Sequence, residues 1–205
     1  MKFVTDINFK NKKALIRVDF NVPLDDSKNV VDNARILAAK PTIDYIINNG
    51  GACVLMSHLG RPKGLDKNLS LKHILQQTKE CLSREVKFIN DCVGPKVERA
   101  VNSMRSGEII MLENLRFYNE ETKGEEEFSE KLSRAGDVYV NDAFGTTHRA
   151  HASTSTVVKF FQEKCAGLLL KKEIESINRV LSSKKQPVTA IIGGAKVSSK
   201  IPIIK

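Results

Sequence analysis

Short runs of β-type apolar residues recur along the chain. They are ALIRVDF (14–20), ACVLMSH (52–58), VKFI (86–89), IIMLEN (109–114), VYVNDAF (138–144) and VTAIIGG (188–194). Several are continuously apolar rather than alternating, the pattern of parallel strands covered on both faces. Helical patterns lie between them. NARILAAKPTIDYIINN runs over 33–49 and stops before Gly50-Gly51. LSLKHILQQTKECL begins after Asn68, with Ser70 as a second capping choice. GPKVERAVNSM opens with Pro95 near a first turn, a favoured place for proline. EEEFSEKLSRAG places glutamates first, Lys131 and Arg134 last and Gly136 as terminator, the order that a helix dipole favours. Its glutamates read as a solvated helix start. Strand–helix–strand alternation predicts an α/β fold, a parallel sheet between two helical layers.

A different element follows. AGLLLKKEIESINRVLSS (166–183) carries Leu170, Ile174, Ile177 and Leu181 in one stripe, which predicts a long helix. The polar stretch SSKKQP then reads as a boundary. Beyond it stand one strand pattern and one helix start, GGAKVSSKIPIIK (193–205), too short for a domain of its own.

Composition adds limits. The 205 residues are 41% hydrophobic and 28% charged, as in a globular chain. No apolar run approaches the roughly 20 residues of a membrane helix, and MKFVTDINFKNKK lacks the apolar core of a signal peptide. The expected location is the cytoplasm, without membrane association. Cys53, Cys81, Cys92 and Cys165 form no CxxC pair and no zinc spacing, so they read as free, packed thiols. The net charge of +9 suits an anionic partner but does not choose among nucleic acid, an acidic surface and phosphorylated metabolites.

Ligands of open parallel sheets bind beyond the carboxyl ends of the strands. The residues that follow the strand patterns there are Asp19 and Asn21; Ser57, His58 and Arg61; Arg116; His148, Arg149 and His151; then Gly193, Gly194, Lys196 and Lys200. Arg35 lies early in the first helix. The arginines are more informative than the lysines, because a guanidinium forks onto phosphate or carboxylate. A small-anion site and structural ion pairs both remain open on this ground. Lys196 and Lys200 are four apart after a Gly-Gly turn, a place for phosphate or for two solvated lysines. The chain has no GxxxxGK[ST], no GxGxxG and no serine–histidine nucleophile motif. His148 and His151 lack further ligands at metal spacing, so no metal site is expected.

RVDFNVPL, DNARILAAKPTI, SHLGRPKG, ENLRFYNEE, VNDAFGTTHRAHAST and IIGGAKVSSKI, in this order, resemble the phosphoglycerate kinase family. The resemblance covers essentially the whole chain. It implies a Rossmann-like lobe with a six-stranded parallel sheet in the order 3-4-2-1-5-6, which requires a further short strand near 165–169. It implies an amino-terminal 3-phosphoglycerate-binding lobe over 1–167, an interdomain helix over 168–184 and the start of a nucleotide-binding lobe over 185–205. In that family the lobes close on 3-phosphoglycerate or 1,3-bisphosphoglycerate and on MgADP or MgATP, in a monomer.

The resemblance assigns roles residue by residue. Asp19 and Asn21 would bind the glycerate hydroxyl region. Arg35 would face the carboxyl end, where charge develops. His58, Arg61, Arg116 and Arg149 would hold the 3-phosphate and orient the ligand. Lys196 would meet the transferring phosphoryl group; Lys200, with Gly193 and Gly194, would meet the nucleotide. The rest of the carboxyl-terminal lobe is not among these residues. The chain is therefore expected to be inactive alone, to hold no ATP or ADP tightly, and to leave residues after about 186 disordered or packed in a non-native way. Nucleic acid is not expected as a partner. The alternatives are a basic module that binds nucleic acid, marked by a steep dependence on salt, and a structural relic that folds and binds nothing.

Overall fold

The computed structural model describes residues 1–182, 189 and 191. These divide into two units, residues 1–173 and 174–205. The first is an α/β domain with a six-stranded sheet in the order β3-β4-β2-β1-β5-β6. Its strands are β1 (Lys13–Val18), β2 (Ala52–Met56), β3 (Lys87–Phe88), β4 (Ile109–Met111), β5 (Val138–Asp142) and β6 (Glu163–Ala166). Every pairing is parallel. The expected order holds, and β6 supplies the short extra strand. The strand pattern VTAIIGG lies almost wholly outside the described residues, and so do Gly193, Gly194, Lys196, Lys200 and the last residues, for which expectations were stated above.

The helices are α1 (Ala34–Asn48), α2 (Leu75–Leu82), α3 (Pro95–Asn102), α4 (Asn119–Lys123), α5 (Glu126–Ser133) and α6 (Leu168–Leu181). The helix expected after Asn68 is α-helical only from Leu75. Two 3-10 turns precede it, where Asp66 accepts from the Asn68 N–H and Ser70 from the Lys72 N–H. Two caps four residues apart hold the chain in successive tight turns rather than one helix. Glu125, Glu126 and Glu127 are exposed, as a solvated helix start should be. The long helix begins at Leu168. Of its apolar stripe Leu170 is buried, while Ile177 and Leu181 are exposed.

The period of two along each strand sorts the core. Ala14, Ile16 and Val18 pack on one face with Ile36, Ile43 and Ile46 of α1. Leu15, Val54 and Met56 pack on the other with Val97 of α3 and with Phe128 and Leu132 of α5. Leu15 and Arg17 share a face, so the sequence ALIRV buries an arginine among apolar side chains. All four cysteines are free and buried. Burial pushes the Cys165 thiol up to about 12 and raises Cys53 and Cys92.

The start of α6 is capped from a distant strand. Asp142, at the end of β5, accepts from the N–H groups of Leu169 (3.0 Å) and Leu170 (3.2 Å). Thr42 accepts from that of Leu168 (2.8 Å). Three orphan donors of the first turn are thereby satisfied. The other Asp142 oxygen, Oδ2, is buried with no hydrogen-bond partner among the described residues. Burial raises this carboxyl to about 6, against the opposing effect of Thr42 and the two N–H groups. The sign follows from linkage. A carboxyl raised in the folded state contributes stability that is full below the unfolded pKa and is lost as pH rises through 6. Asp142→Asn keeps one acceptor without the charge. It is expected to raise stability by about 2 kcal/mol at pH 8 and by almost nothing at pH 4. Urea melts at the two pH values measure this; an equal effect at both would show that the charge is compensated.

Candidate functional site

The sheet order reverses direction at β1, which has β2 on one side and β5 on the other. Such a switch point leaves a crevice at the carboxyl ends of the strands. Asp19, His58, Arg116 and Arg149 all come from segments that leave those ends.

Asp19 follows β1, and its Oδ2 pairs with the guanidinium of Arg35 in the first turn of α1. Its other oxygen, Oδ1, is buried with no hydrogen-bond partner among the described residues. The Asn21 carboxamide oxygen accepts from the Gly60 N–H (2.8 Å), and Arg116 Nη1 donates to the Gly60 carbonyl (2.6 Å). The loop after β2 is therefore gripped on both sides of Gly60. Asn114 fixes the same loop. It is fully buried, and its amide bonds Leu59 N–H, Leu59 C=O and Leu69 C=O.

Arg61, Pro62, Arg116, Thr122, Arg149 and His151 line one cavity of about 420 Å³. None of Arg61, Arg116 and Arg149 has a carboxylate partner among the described residues. Arg116 is only 7% exposed, and its Nε has no hydrogen-bond partner among the described residues. Burial, then Arg149 and Arg17, lowers its pKa. A guanidinium nonetheless stays charged at neutral pH. Larger cavities of about 690, 610 and 450 Å³ lie elsewhere, but none of them is lined by more than one arginine.

Beneath the cavity lies a buried polar network that sequence reading missed. Arg17 is 1% exposed. It donates from Nε to Ser153 Oγ (3.0 Å), from Nη1 to the Val18 carbonyl and from Nη2 to His58 Nδ1 (3.0 Å). A guanidinium only donates, so His58 Nδ1 accepts and the ring proton resides on Nε2. Burial, then Arg17, Arg116, Arg149 and His151, pushes the His58 imidazole down to about 2. His58 is thus a neutral N–H donor amid cations. Arg17 had a signal in the sequence, a charge inside a continuous apolar strand. Glu121 and Ser153 had none, because only the fold buries them.

Among the described residues no group of three or more His, Cys, Asp or Glu is arranged to hold a metal ion, and no helix is long and apolar enough to cross a membrane. His148 and His151 do not share an α-helix. His148 is exposed, whereas His151 faces Glu121 at 3.7 Å. Of the expected site residues, Arg61, Arg116 and Arg149 share a cavity, Asp19 and Arg35 form a pair, and Asn21 and His58 hold neighbouring groups.

Fold and site together define a doubly wound α/β protein with a concave cavity lined by three arginines. The family model for phosphoglycerate kinase matches residues 4–205. Phosphoglycerate kinase of Aquifex aeolicus is 48% identical over 204 residues, covering 100% of this chain and 51% of that protein. The Gloeobacter violaceus enzyme is 50% identical over 198 residues, covering 97% and 49%. The crystal structure of phosphoglycerate kinase from Pyrococcus horikoshii superposes with a TM-score of 0.90 at 35% identity, over 100% of this chain and 51% of that one. The chain belongs to the phosphoglycerate kinase family. It spans about half the length of the curated relatives it matches.

Proposed function

We propose that this chain forms the acyl-phosphate side of a phosphoglycerate kinase, which transfers a phosphoryl group reversibly between 1,3-bisphosphoglycerate and ADP to give 3-phosphoglycerate and ATP. The observation that carries the reading is the convergence of Arg61, Arg116 and Arg149 on one cavity without carboxylate partners among the described residues. Surplus guanidinium groups in a concave, partly desolvated site suit a phosphate ester. Asp19 and Asn21 then take the glycerate hydroxyl region, and His58 donates from Nε2. Arg35 lies in the first turn of α1 beside Asp19, at the edge of the same crevice. Phosphoryl transfer needs alignment and charge neutralisation more than covalent assistance. In this reading Arg35 and Lys196 offset the charge of the moving group, while Lys200, Gly193 and Gly194 belong to the nucleotide side.

In this reading the chain comprises a substrate-binding lobe (1–167), an interdomain helix (168–184) and the beginning of a nucleotide-binding lobe. Magnesium–nucleotide binds on the second lobe of the whole enzyme, and the chain assayed by itself gives no ATP-dependent turnover. The monomeric state and the cytoplasmic location belong to the same proposal. Relatives include forms named cytosolic and chloroplastic.

Calorimetric titration of 3-phosphoglycerate at physiological salt, beside an Arg149→Ala variant, tests the site. Saturable binding that the variant loses is expected. Binding that ignores the 3-phosphate and falls steeply with salt would instead mark a non-specific polyanion surface.

A further inference from the structure

Glu121 is a fully buried acid of this domain that no role above uses. It sits in α4, is fully buried, and accepts from both the N–H (2.9 Å) and the hydroxyl (2.7 Å) of Ser153. The Ser153 hydroxyl oxygen at the same time accepts from Arg17 Nε (3.0 Å). One carboxylate therefore reaches Arg17 through a single hydroxyl and faces the His151 imidazole at 3.7 Å. His151 lines the cavity, and Arg17 holds His58. Burial by itself would raise the Glu121 carboxyl, yet His151, Arg17 and Ser153 outweigh burial and hold it below the usual carboxylate range. The backbone makes the contact possible. Gly124 ends α4 at φ +70°, and a Cβ there would lie 2.6 Å from the Ala150 carbonyl oxygen. Residues 152–156 form a π-turn, whose wide pitch brings three N–H groups onto the His151 carbonyl.

We propose that Glu121 is a positioning residue for the anion cavity, fixing Arg17 through Ser153 and holding His151 at the cavity wall. The inference rests on reading the cavity as an anion site. It has a sign that a plain charge effect does not share. A negative charge near an anion site repels the ligand, so neutralising Glu121 by field alone tightens binding. Loss of positioning weakens it, because Arg17 and His58 lose their common anchor.

The test compares wild type, Glu121→Gln and Ser153→Ala by calorimetric titration with 3-phosphoglycerate, with thermal melts to confirm folding. Glu121→Gln is expected to weaken binding about tenfold, and Ser153→Ala about fivefold, the scale of one buried hydrogen bond. Equal or tighter binding by folded Glu121→Gln overturns the proposal. Should Glu121→Gln fail to fold, Ser153→Ala carries the same test, since it cuts the relay and leaves the charge. Should wild type bind no ligand, the reading of the cavity fails, and the positioning role is decided by nitrogen–proton NMR of the His58 ring. A proton confined to Nε2 in wild type and shared between both nitrogens in the variants supports it; an unchanged ring overturns it.

Discussion

Replacing Arg116 by alanine is expected to weaken 3-phosphoglycerate binding by about 100-fold and to leave the fold intact. Two features set this size. The side chain is 7% exposed and already held at Gly60, so little entropy is lost when a ligand arrives. Its Nε is buried with no hydrogen-bond partner among the described residues. A charge-assisted hydrogen bond to such a group contributes about 1.5–3 kcal/mol, and 3 kcal/mol corresponds to a factor of about 150. Stability should change by less than about 1 kcal/mol, because the lost Gly60 bond is offset by relief of repulsion among Arg116, Arg149 and Arg17. Arg116→Lys should not restore affinity, since a point charge cannot hold Gly60 and fork onto an anion together. Calorimetry and circular-dichroism melts on the three proteins settle it. A loss of threefold or less would place the phosphate away from Arg116.

Gly167→Ala is expected to destabilise the domain by about 3 kcal/mol, a fall in melting temperature of about 8 °C for a chain of this size. Gly167 precedes α6, and its N–H bonds the Asn141 carbonyl (2.8 Å). A Cβ there would overlap Oδ1 and Cγ of Asp142 and stand 2.7 Å from its Cβ. Asp142 is on a central strand and fully buried, so it has nowhere to go. Relief must come from moving the helix start, which breaks the bonds that Asp142 accepts from Leu169 and Leu170. Asp142→Ala removes the overlapping oxygen atoms, so the double variant should be less destabilised than the two single effects added together. Strict additivity in urea melts would mean that Gly167 and Asp142 are not in contact.

Much of this fold is legible from local pattern. Continuous apolar runs marked β1, β2 and β5 as strands buried on both faces, and those strands are buried almost throughout. The strand now called β6, EKCA, has no such run, since Glu163 and Lys164 interrupt it; its place comes from pairing with β5. Chain-local signals were weaker where caps compete, as at Asp66 and Ser70. For the site, arginines after strand ends were visible because the position of a ligand crevice is a property of parallel sheets. What stood open was whether they pair internally. Arg35 does pair, with Asp19; Arg61, Arg116 and Arg149 do not pair with carboxylates among the described residues.

The sequence by itself marked most of the strands and helices among the described residues, the end of the sheet where the crevice lies and the arginines beside it, since hydrophobic period and turn residues act over a few positions. Only the tertiary structure decided what is buried with what. Glu121 looks like any other glutamate in NEETKGEEE. It becomes the counter-ion of a buried network because α4 and the turn at 152–156 meet over Arg17, and contacts 32 and 136 residues apart in sequence leave no mark on local pattern.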